Sequence, residues 1–185
     1  MPNVIRIIKQ QHRAATSVIF AVRAISRKAL RSGNPPDFLW LRTLLEYIDR
    51  FPERLHQANE DTFLFRTLLR HEPGMARMIA RLRRDHAANT GYASRLREAL
   101  ADWERGNPKA GPYSVHVAND FARFVWRHGR FEQRELLPAA QATLSDAEWW
   151  EVERAFSATG DPLAGSTSRR QCEAALQRFV QPYTA

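Results

Sequence analysis

Two His-x-x-x-Glu pairs are the part of this chain whose residue types and spacing could do chemistry. A further histidine lies on the segment before each pair, so the set in chain order is His12, His56, Glu60, His86, His128 and Glu132. On a helix, residues four apart lie on one face about 6 Å along the axis, so each pair can direct an imidazole and a carboxylate at one point. The repeated pattern predicts a metal centre that holds two ions.

The chemistry of the set also favours metal. Four imidazoles and two carboxylates would be costly to bury without partners. In a dinuclear site the two carboxylates can bridge the ions, and each ion takes two histidines and keeps positions for water, hydroxide or a small ligand. Imidazole and carboxylate without thiolate suit iron, with manganese and zinc as competitors. Because metal binding needs neutral imidazoles and ionised carboxylates, we expect the affinity to fall in acid.

Helical periodicity runs through almost the whole chain, and no strand alternation stands out. Four segments carry the candidate ligands, and their approximate ranges are Val4 to Leu30, Phe38 to Arg70, Pro73 to Glu104, and Tyr113 to Leu144. Pro52 predicts a kink one turn before His56, and Pro138 predicts a bend or loosening in the last turns of the fourth segment. The fold class is therefore all-α, as an up-down-up-down four-helix bundle with additional short C-terminal helices.

The ends of these segments carry recognisable signals. Asp37 is placed to cap the second segment, and Pro73 suits the first position of the third. Ser145-Asp146-Ala147-Glu148 predicts a capping box that opens a short helix, and a last helix is expected from about Ser168 to Val180. We expect one domain over residues 1–185, with the bundle at about 4–144 and a C-terminal helical extension at about 145–181.

The candidate ligands should lie at one level of such a bundle. His12 lies 19 residues before Arg31 and His56 lies 18 after Phe38, so both are about 28 Å from the first turn at 1.5 Å per residue. The same counting across the second and third turns brings the other four candidates to that height. This agreement is independent of the His-x-x-x-Glu spacing.

These stretches resemble the hemerythrin-like, HHE cation-binding family. The matching stretches are Ile7 to Arg13, Tyr47 to His56 with Glu60, Asp85-His86, and Phe124 to His128 with Glu132 and Leu136-Leu137-Pro138. The resemblance covers roughly residues 4–160 and implies a four-helix bundle with a non-haem di-iron centre that meets dioxygen or related small molecules. It further implies that His12 and His56 ligate one iron, that His86 and His128 ligate the other, and that Glu60, Glu132 and an oxo or hydroxo group bridge them.

The chain departs from the oxygen-carrying hemerythrins at two positions. Those proteins have a second histidine four residues after the third-segment histidine, where this chain has Thr90. They have an aspartate five residues after the last histidine, where this chain has Gln133, with Glu132 at plus four. One imidazole fewer implies a more open and less asymmetric site, which leaves room for sensing, metal handling or redox chemistry.

Other titratable residues have simpler interpretations. His71 is expected to cap a helix end, and His116 to lie on the surface or between helices. Glu135, seven residues after His128, faces the metal side as an extra ligand or outer acceptor, and a surface carboxylate is the alternative. Asp61 and Asp85 lie about 100° around the helix from their neighbouring ligand candidates, so both are left out of the ligand set.

The aromatic residues and the single cysteine are expected to be structural. Four aromatic residues near the candidate ligands are assigned to the core rather than to redox roles: Tyr47, Phe63, Phe124 and Trp126. Cys172 is interpreted as a small buried hydrophobe, with a reactive thiol as the alternative. One cysteine excludes an intrachain disulfide and a cysteine-rich zinc site.

Composition narrows the class of protein further. The net charge is +8 and the pI is near 10.5, but basic residues are scattered and interspersed with acidic ones, so a nucleic-acid partner is not favoured. The longest apolar run, Ala14 to Val22, is too short to span a bilayer, and no secretory signal is recognised. We therefore expect a cytoplasmic protein without a membrane partner, and the sequence leaves a homo-oligomer open.

Three functions fit this interpretation. The first is a di-iron protein that binds or senses dioxygen, nitric oxide or peroxide. The second is a di-iron oxidase or peroxidase, for which Glu135 is the one proton donor that the sequence offers. The third is an iron store or regulatory module, in which the last helix carries an interaction.

Overall fold

The computed structural model describes residues 3–163 and Ala174, and these residues form helices and turns with no strand. Four long helical stretches, which we call the first to fourth bundle segments, are joined by short turns. The first segment is α1 (Asn3–Ser32). The second, residues 38–71, comprises α2 (Phe38–Ile48), two π-helical stretches (Asp49–Gln57 and Glu60–Phe65) and α3 (Arg66–His71).

The other two segments are built in the same way. The third, residues 73–104, is a short 3-10 turn (Pro73–Met75) followed by α4 (Ala76–Glu104). The fourth, residues 110–143, comprises α5 (Ala110–Phe131), a π-helical stretch (Glu132–Leu136) and α6 (Leu137–Thr143). A further helix, α7 (Asp146–Ser157), follows.

Side-chain contacts at the segment ends fix the directions of the segments. Arg42 at the start of the second segment donates a hydrogen bond to Glu104 at the end of the third. The Arg81 guanidinium, early in the third segment, lies 3.9 Å from the centre of the Phe131 ring, late in the fourth. The start of the first segment packs with the end of the fourth, since Ile5 and Ala140 belong to one apolar cluster. Neighbouring segments therefore run antiparallel, and the predicted up-down-up-down arrangement is confirmed.

Local sequence signals determine where the helices begin. The Asp37 carboxylate accepts a hydrogen bond from the Trp40 backbone N–H at 2.9 Å, as the sequence predicts for an N-cap. Ser145 and Glu148 form the predicted capping box at the start of α7. Pro73 occupies the start of the third segment, where a missing N–H costs no hydrogen bond.

Two apolar clusters fill the bundle, and a polar layer separates them. On α1, Val4, Ile5 and Ile8 belong to one cluster, whereas the run that begins at Ala14 belongs to the other. Gln11 and His12 lie between the two and are buried. The polar layer is thus enclosed by hydrocarbon on both sides, which strengthens electrostatic interactions within it.

The second and fourth segments contain π-helical stretches near the two prolines at which the sequence predicts a kink and a bend. Pro52 lies inside a π-helical stretch, and Pro138 is the second residue of α6, which directly follows another. Proline has no N–H to donate to the carbonyl four residues before it, so the regular α-helical hydrogen bond is missing at both places. The wider turns include His56 and begin at Glu60 and Glu132, so the irregular backbone coincides with candidate ligands.

The aromatic assignments are confirmed with one exception. Tyr47 is fully buried, and Phe63 and Phe124 are partly buried against the core. The prediction for Trp126 was wrong: its side chain is 49 % exposed. The buried face of α5 carries small residues and Phe121, so Trp126 lies on the opposite face, where the Arg130 guanidinium covers its ring at 5.1 Å.

Helix α7 packs on the bundle, with Trp149, Val152 and Phe156 buried in the same apolar cluster as Ile5.

No helix in residues 3–163 is long and apolar enough to cross a membrane. The last helix expected at 168–180 and Cys172 lie outside the described residues, apart from Ala174. The division into a bundle and an extension stays a prediction.

Candidate metal centre

The six predicted ligand side chains meet in the polar layer at the middle of the bundle. Their ligand atoms fall into two sets of four, each within 4.8 Å, and Glu60 and Glu132 belong to both: His12, His56, Glu60 and Glu132 form one set, and Glu60, His86, His128 and Glu132 form the other. The carboxylate side chains are fully buried, and the imidazoles are 7 to 9 % exposed. We call the first set the His12/His56 half and the second the His86/His128 half.

The His-x-x-x-Glu pairs have the geometry that their spacing predicts. His56 Nε2 lies 3.2 Å from Glu60 Oε1, and His128 Nε2 lies 3.3 Å from Glu132 Oε1. Each carboxylate also meets a histidine from another segment. His12 Nε2 lies 2.9 Å from Glu132 Oε2, and His86 Nε2 lies 3.3 Å from Glu60 Oε2. Each glutamate therefore lies between histidines of different segments.

The polar atoms at the centre of this layer lack ordinary partners. Within the part of the chain that the structure describes, both oxygens of Glu60 and of Glu132 and Nε2 of His86 and His128 make no hydrogen bond of regular geometry, although they lie within 4 Å of one another as possible ion pairs. Unsatisfied buried carboxylates are costly, so they call for a cation that accepts their lone pairs.

The separations fit shared ions. His12 Nε2 and His56 Nε2 are 2.9 Å apart, and both point toward Glu60. Ligand atoms held at about 2.0–2.2 Å by one ion lie roughly 3 Å from each other. The buried histidine and glutamate groups therefore fit a metal site.

The protonation of this layer is set by its own carboxylates. Burial lowers the pKa of His12, but contacts with Glu132 and Glu60 outweigh burial and raise it to about 9. Burial also lowers the pKa of His86, and contacts with Asp61, Glu132 and Glu60 raise it to about 11. Burial raises the pKa of Glu132, and so does the charge of Glu60, but the surrounding histidines outweigh both and lower it to about 2. Protons on the imidazoles thus occupy the positions that cations would take.

The outer nitrogens of His12, His56 and His86 have hydrogen-bond partners that the sequence analysis did not identify, and a carboxylate lies near that of His128. His56 Nδ1 lies 2.8 Å from Gln11 Oε1, and His86 Nδ1 lies 3.2 Å from Asp61 Oδ2. His128 Nδ1 lies 3.6 Å from Asp85 Oδ2. The amide of Gln133 lies 3.4 Å from His12 Nδ1. Asp61 and Asp85 lie at the outer side of the histidines, which agrees with their exclusion from the ligand set. The sequence analysis did not predict that each of them faces a histidine of the next segment.

Helix α7 and the turn after it close one side of the centre. The Phe156 ring lies 5.5 Å from the His56 ring, edge to face. The Gln11 amide that accepts from His56 also donates to Thr159 Oγ1 at 3.0 Å. Asn59 Nδ2 donates to the Ala155 carbonyl at 3.0 Å. The turn after α7 is therefore linked to the candidate ligand His56 through the Gln11 side chain.

A small cavity of about 30 Å³ adjoins the layer on another side. Its walls are mainly apolar, and it is lined by His12, Ala15, Ile48, Pro52, His56, Gln57, Asn89, Val125 and His128. Asn89 is buried and donates a hydrogen bond to Glu53 Oε1 at 3.0 Å. Burial and the charge of Asp49 raise the pKa of Glu53 to about 7.

The remaining candidates lie away from the centre. Glu135 is exposed, so the structure supports the surface carboxylate and not an extra ligand. His71, at the end of α3, lies 2.6 Å from Glu148 Oε1. His116 is exposed and pairs with Asp120 at 3.4 Å. Thr90 is exposed, so no ligand replaces the histidine of the oxygen carriers at this position.

Gly129 fits closely against the centre. A Cβ atom at this position would lie 3.2 Å from His12 Cγ and 3.4 Å from His12 Nδ1. The glycine beside His128 therefore leaves room for the His12 ring of the neighbouring segment.

Comparison with protein families agrees with this geometry, whereas comparison with individual proteins found no match. No curated protein and no solved structure matches the chain. The family description "Hemerythrin HHE cation binding domain" matches residues 3–140, which include all six candidate ligands. The chain belongs to the hemerythrin HHE cation-binding domain family.

Proposed function

We propose that the protein holds two iron ions at His12, His56, Glu60, His86, His128 and Glu132 and binds or senses dioxygen or a related small molecule such as nitric oxide or peroxide. The observation that carries the proposal is the pair of fully buried carboxylates that four imidazoles surround, with no hydrogen bond of regular geometry to either carboxylate among the described residues. Manganese and zinc are the competing metals for such donors.

The donor set supports iron and an open site. Nitrogen and oxygen donors without thiolate suit iron in both of its common oxidation states, and six side chains for two ions leave coordination positions unfilled. A bound centre would supply redox chemistry and sites for a small ligand. The chain's own residues orient the donors through their outer contacts, and the two apolar clusters exclude bulk water.

The cavity beside the layer supports a ligand of few atoms. Its volume of about 30 Å³ exceeds the roughly 10–15 Å³ that a cavity needs to hold one water molecule, which suits a ligand of few atoms. Three candidate ligands form part of its wall, so a molecule in the cavity would meet the metal centre directly. Mainly apolar walls favour dioxygen or nitric oxide over charged metabolites.

The cavity can be tested by filling it. Ala15→Val adds two methyl groups at the cavity wall, and we expect iron content to be unchanged while the affinity of the ferrous protein for nitric oxide falls about tenfold or more. The measurement is an anaerobic optical titration with nitric oxide. Ala29→Val is the matched control, because Ala29 lies on the same helix with 7 % exposure, against 8 % for Ala15, and does not line the cavity. Equal nitric oxide affinities in both variants and the wild type would rule out this cavity.

A second candidate function, di-iron oxidase or peroxidase, is favoured by one observation. Such an enzyme needs a proton donor near the ligand site, and Glu53 is held by Asn89, whose side chain lines the cavity. Its pKa near 7 suits proton transfer at neutral pH. Glu53 replaces Glu135 in this role, because Glu135 is exposed.

Peroxide turnover distinguishes the two functions. If the protein is an enzyme, Glu53→Gln lowers turnover at pH 7 by 10²-fold or more, whereas Glu135→Gln, the matched surface change, leaves it unaltered. If the protein only binds or senses, the wild type and both variants show no sustained turnover while they still bind nitric oxide.

A further inference from the structure

The side chains next to the outer nitrogens of the four histidines form a ring around the bundle, with three hydrogen bonds and one longer contact. Gln11 of the first segment contacts His56 of the second, and Asp61 of the second contacts His86 of the third. Asp85 of the third segment faces His128 of the fourth, and Gln133 of the fourth contacts His12 of the first. Each segment therefore supports a histidine of the next segment, in one direction.

The ring follows from helix geometry. Each partner immediately precedes or follows a candidate ligand in the sequence: Gln11 precedes His12, Asp61 follows Glu60, Asp85 precedes His86, and Gln133 follows Glu132. Adjacent residues on a helix point about 100° apart, so when one faces the centre its neighbour faces the adjacent helix. One dipeptide thus supplies a ligand and the support for another segment's ligand.

The ring is not chemically uniform. Both histidines of the His12/His56 half face neutral amides, from Gln133 and Gln11. Both histidines of the His86/His128 half lie near carboxylates. Asp61, which also pairs with Arg83, is 3.2 Å from His86 Nδ1, and Asp85 is 3.6 Å from His128 Nδ1, too far for a hydrogen bond. A carboxylate that accepts the outer N–H of an imidazole makes the metal-binding nitrogen more basic, and its charge attracts the cation. Asp61 can act in both ways on His86, whereas Asp85 acts on His128 through its charge. An amide fixes the ring orientation without adding charge.

We propose that the two halves of the centre differ in metal affinity and that the His86/His128 half binds its ion first and more tightly. Because Glu60 and Glu132 are common to both halves and each half has two imidazoles, the inner ligands themselves are balanced. The difference comes from Asp61 and Asp85 against Gln11 and Gln133. This inference rests on the proposed dinuclear function.

The test is a titration of the metal-free protein with Mn²⁺, followed by electron paramagnetic resonance and calorimetry. For the wild type we expect two steps whose affinities differ at least tenfold, with an isolated-ion signal at one equivalent and a coupled-pair signal at two. The double variant Asp61→Asn, Asp85→Asn should weaken the first step 10- to 100-fold and leave the second within about threefold, so that the steps merge. The matched opposite change, Gln11→Glu with Gln133→Glu, should strengthen the second step.

Ligand variants assign each step to a half. His128→Gln should remove the tight step, and His56→Gln should remove the weak one. The inference is overturned if the wild type binds two ions with equal affinity, or if the aspartate variants weaken both steps equally or only the second. Failure of the proposed function gives a different result, because in that case neither the wild type nor any variant binds two ions. If the double variant does not fold, the same titration of the single variant Asp85→Asn, which changes a longer contact of 3.6 Å, should show a weakened first step.

Discussion

His12 Nε2 and Glu132 Oε2 lie 2.9 Å apart, and this contact joins the first and fourth bundle segments at the centre of the polar layer. Glu132 is fully buried and His12 nearly so, and Gly129 on the fourth segment leaves the space that the His12 ring occupies. The bundle is thus closed by a charged contact between its two outermost segments in sequence. In the metal-free protein this contact depends on a proton, and in the loaded protein a cation would replace it.

Metal loading at neutral pH should release protons. With pKa values of about 9 and 11, His12 and His86 are protonated at pH 7 in the metal-free protein, and both must lose the proton to bind metal. We expect these residues to release about two protons at pH 7 and about 1.5 at pH 9, so the apparent affinity should rise steeply with pH. Calorimetry in buffers of different ionisation enthalpy measures this number. Binding heats that do not depend on the buffer would contradict it.

Replacing Gly129 should perturb His12. In Gly129→Ala the new methyl group meets the His12 ring at 3.2 Å, so the ring must shift by a few tenths of an ångström. We expect metal affinity in the His12/His56 half to fall about tenfold. Gly91→Ala is the matched control, because a Cβ atom there meets nothing within 4 Å and the helix gains about 1 kcal/mol. Metal titrations and urea unfolding of the two variants provide the comparison, and equal affinities would show that the His12 ring is not constrained here.

Glu53 should make stability depend on pH. Its pKa is raised from 4.5 to about 7 in the folded chain, so its stabilising contribution is complete below pH 4.5 and is lost as the pH rises through 7. Glu53→Gln should therefore gain about 1 to 2 kcal/mol relative to the wild type between pH 4.5 and 8, after allowance for its partial exposure.

Urea unfolding at fixed metal content measures this difference. Glu135→Gln is the control, because it removes the same charge from an exposed position. Its stability curve should run parallel to that of the wild type. A Glu53→Gln curve that is also parallel would mean that the environment of Glu53 does not oppose its charge.

The cover formed by α7 should contribute to stability. Phe156 is fully buried in the apolar cluster that contains Ile5, and it also packs on the His56 ring, so Phe156→Ala should cost about 3 to 5 kcal/mol in the free energy of unfolding. Trp150→Ala, on the same helix but 61 % exposed, should change it by less than about 0.5 kcal/mol. Chemical denaturation measures the free energy of unfolding of both variants. Equal values for the two variants would mean that α7 is only loosely attached to the bundle.

Much of this arrangement could be predicted from the sequence because two independent regularities agree. The His-x-x-x-Glu spacing places His56 with Glu60 and His128 with Glu132, and the distances of the candidates from the turns place His12 and His86 at the same level. Periodicity and capping signals such as Asp37 and Ser145 locate the helix starts. These are local properties, and the structure reproduces them. That the six residues bind iron stays a prediction.

What the sequence could not provide depends on contacts between segments. The π-helical stretches near Pro52 and Pro138 can be recognised only from the backbone coordinates, because a proline in a helix is compatible with a kink as well as with a wider turn. The roles of Gln11 and Asp61 depend on the rotation of neighbouring helices, which no spacing within one helix fixes. Trp126 was assigned to the core from its type alone, although its position on α5 places it toward solvent.

The most direct test of the central claim is the metal content per chain of protein produced with iron and purified without oxygen. Elemental analysis should give about two irons per chain for the wild type and a clear loss for Glu60→Gln, since Glu60 belongs to both halves of the centre. Glu135→Gln should retain the wild-type content. One ion per chain or none, after reconstitution with ferrous iron at neutral pH, would contradict a dinuclear centre at these six residues.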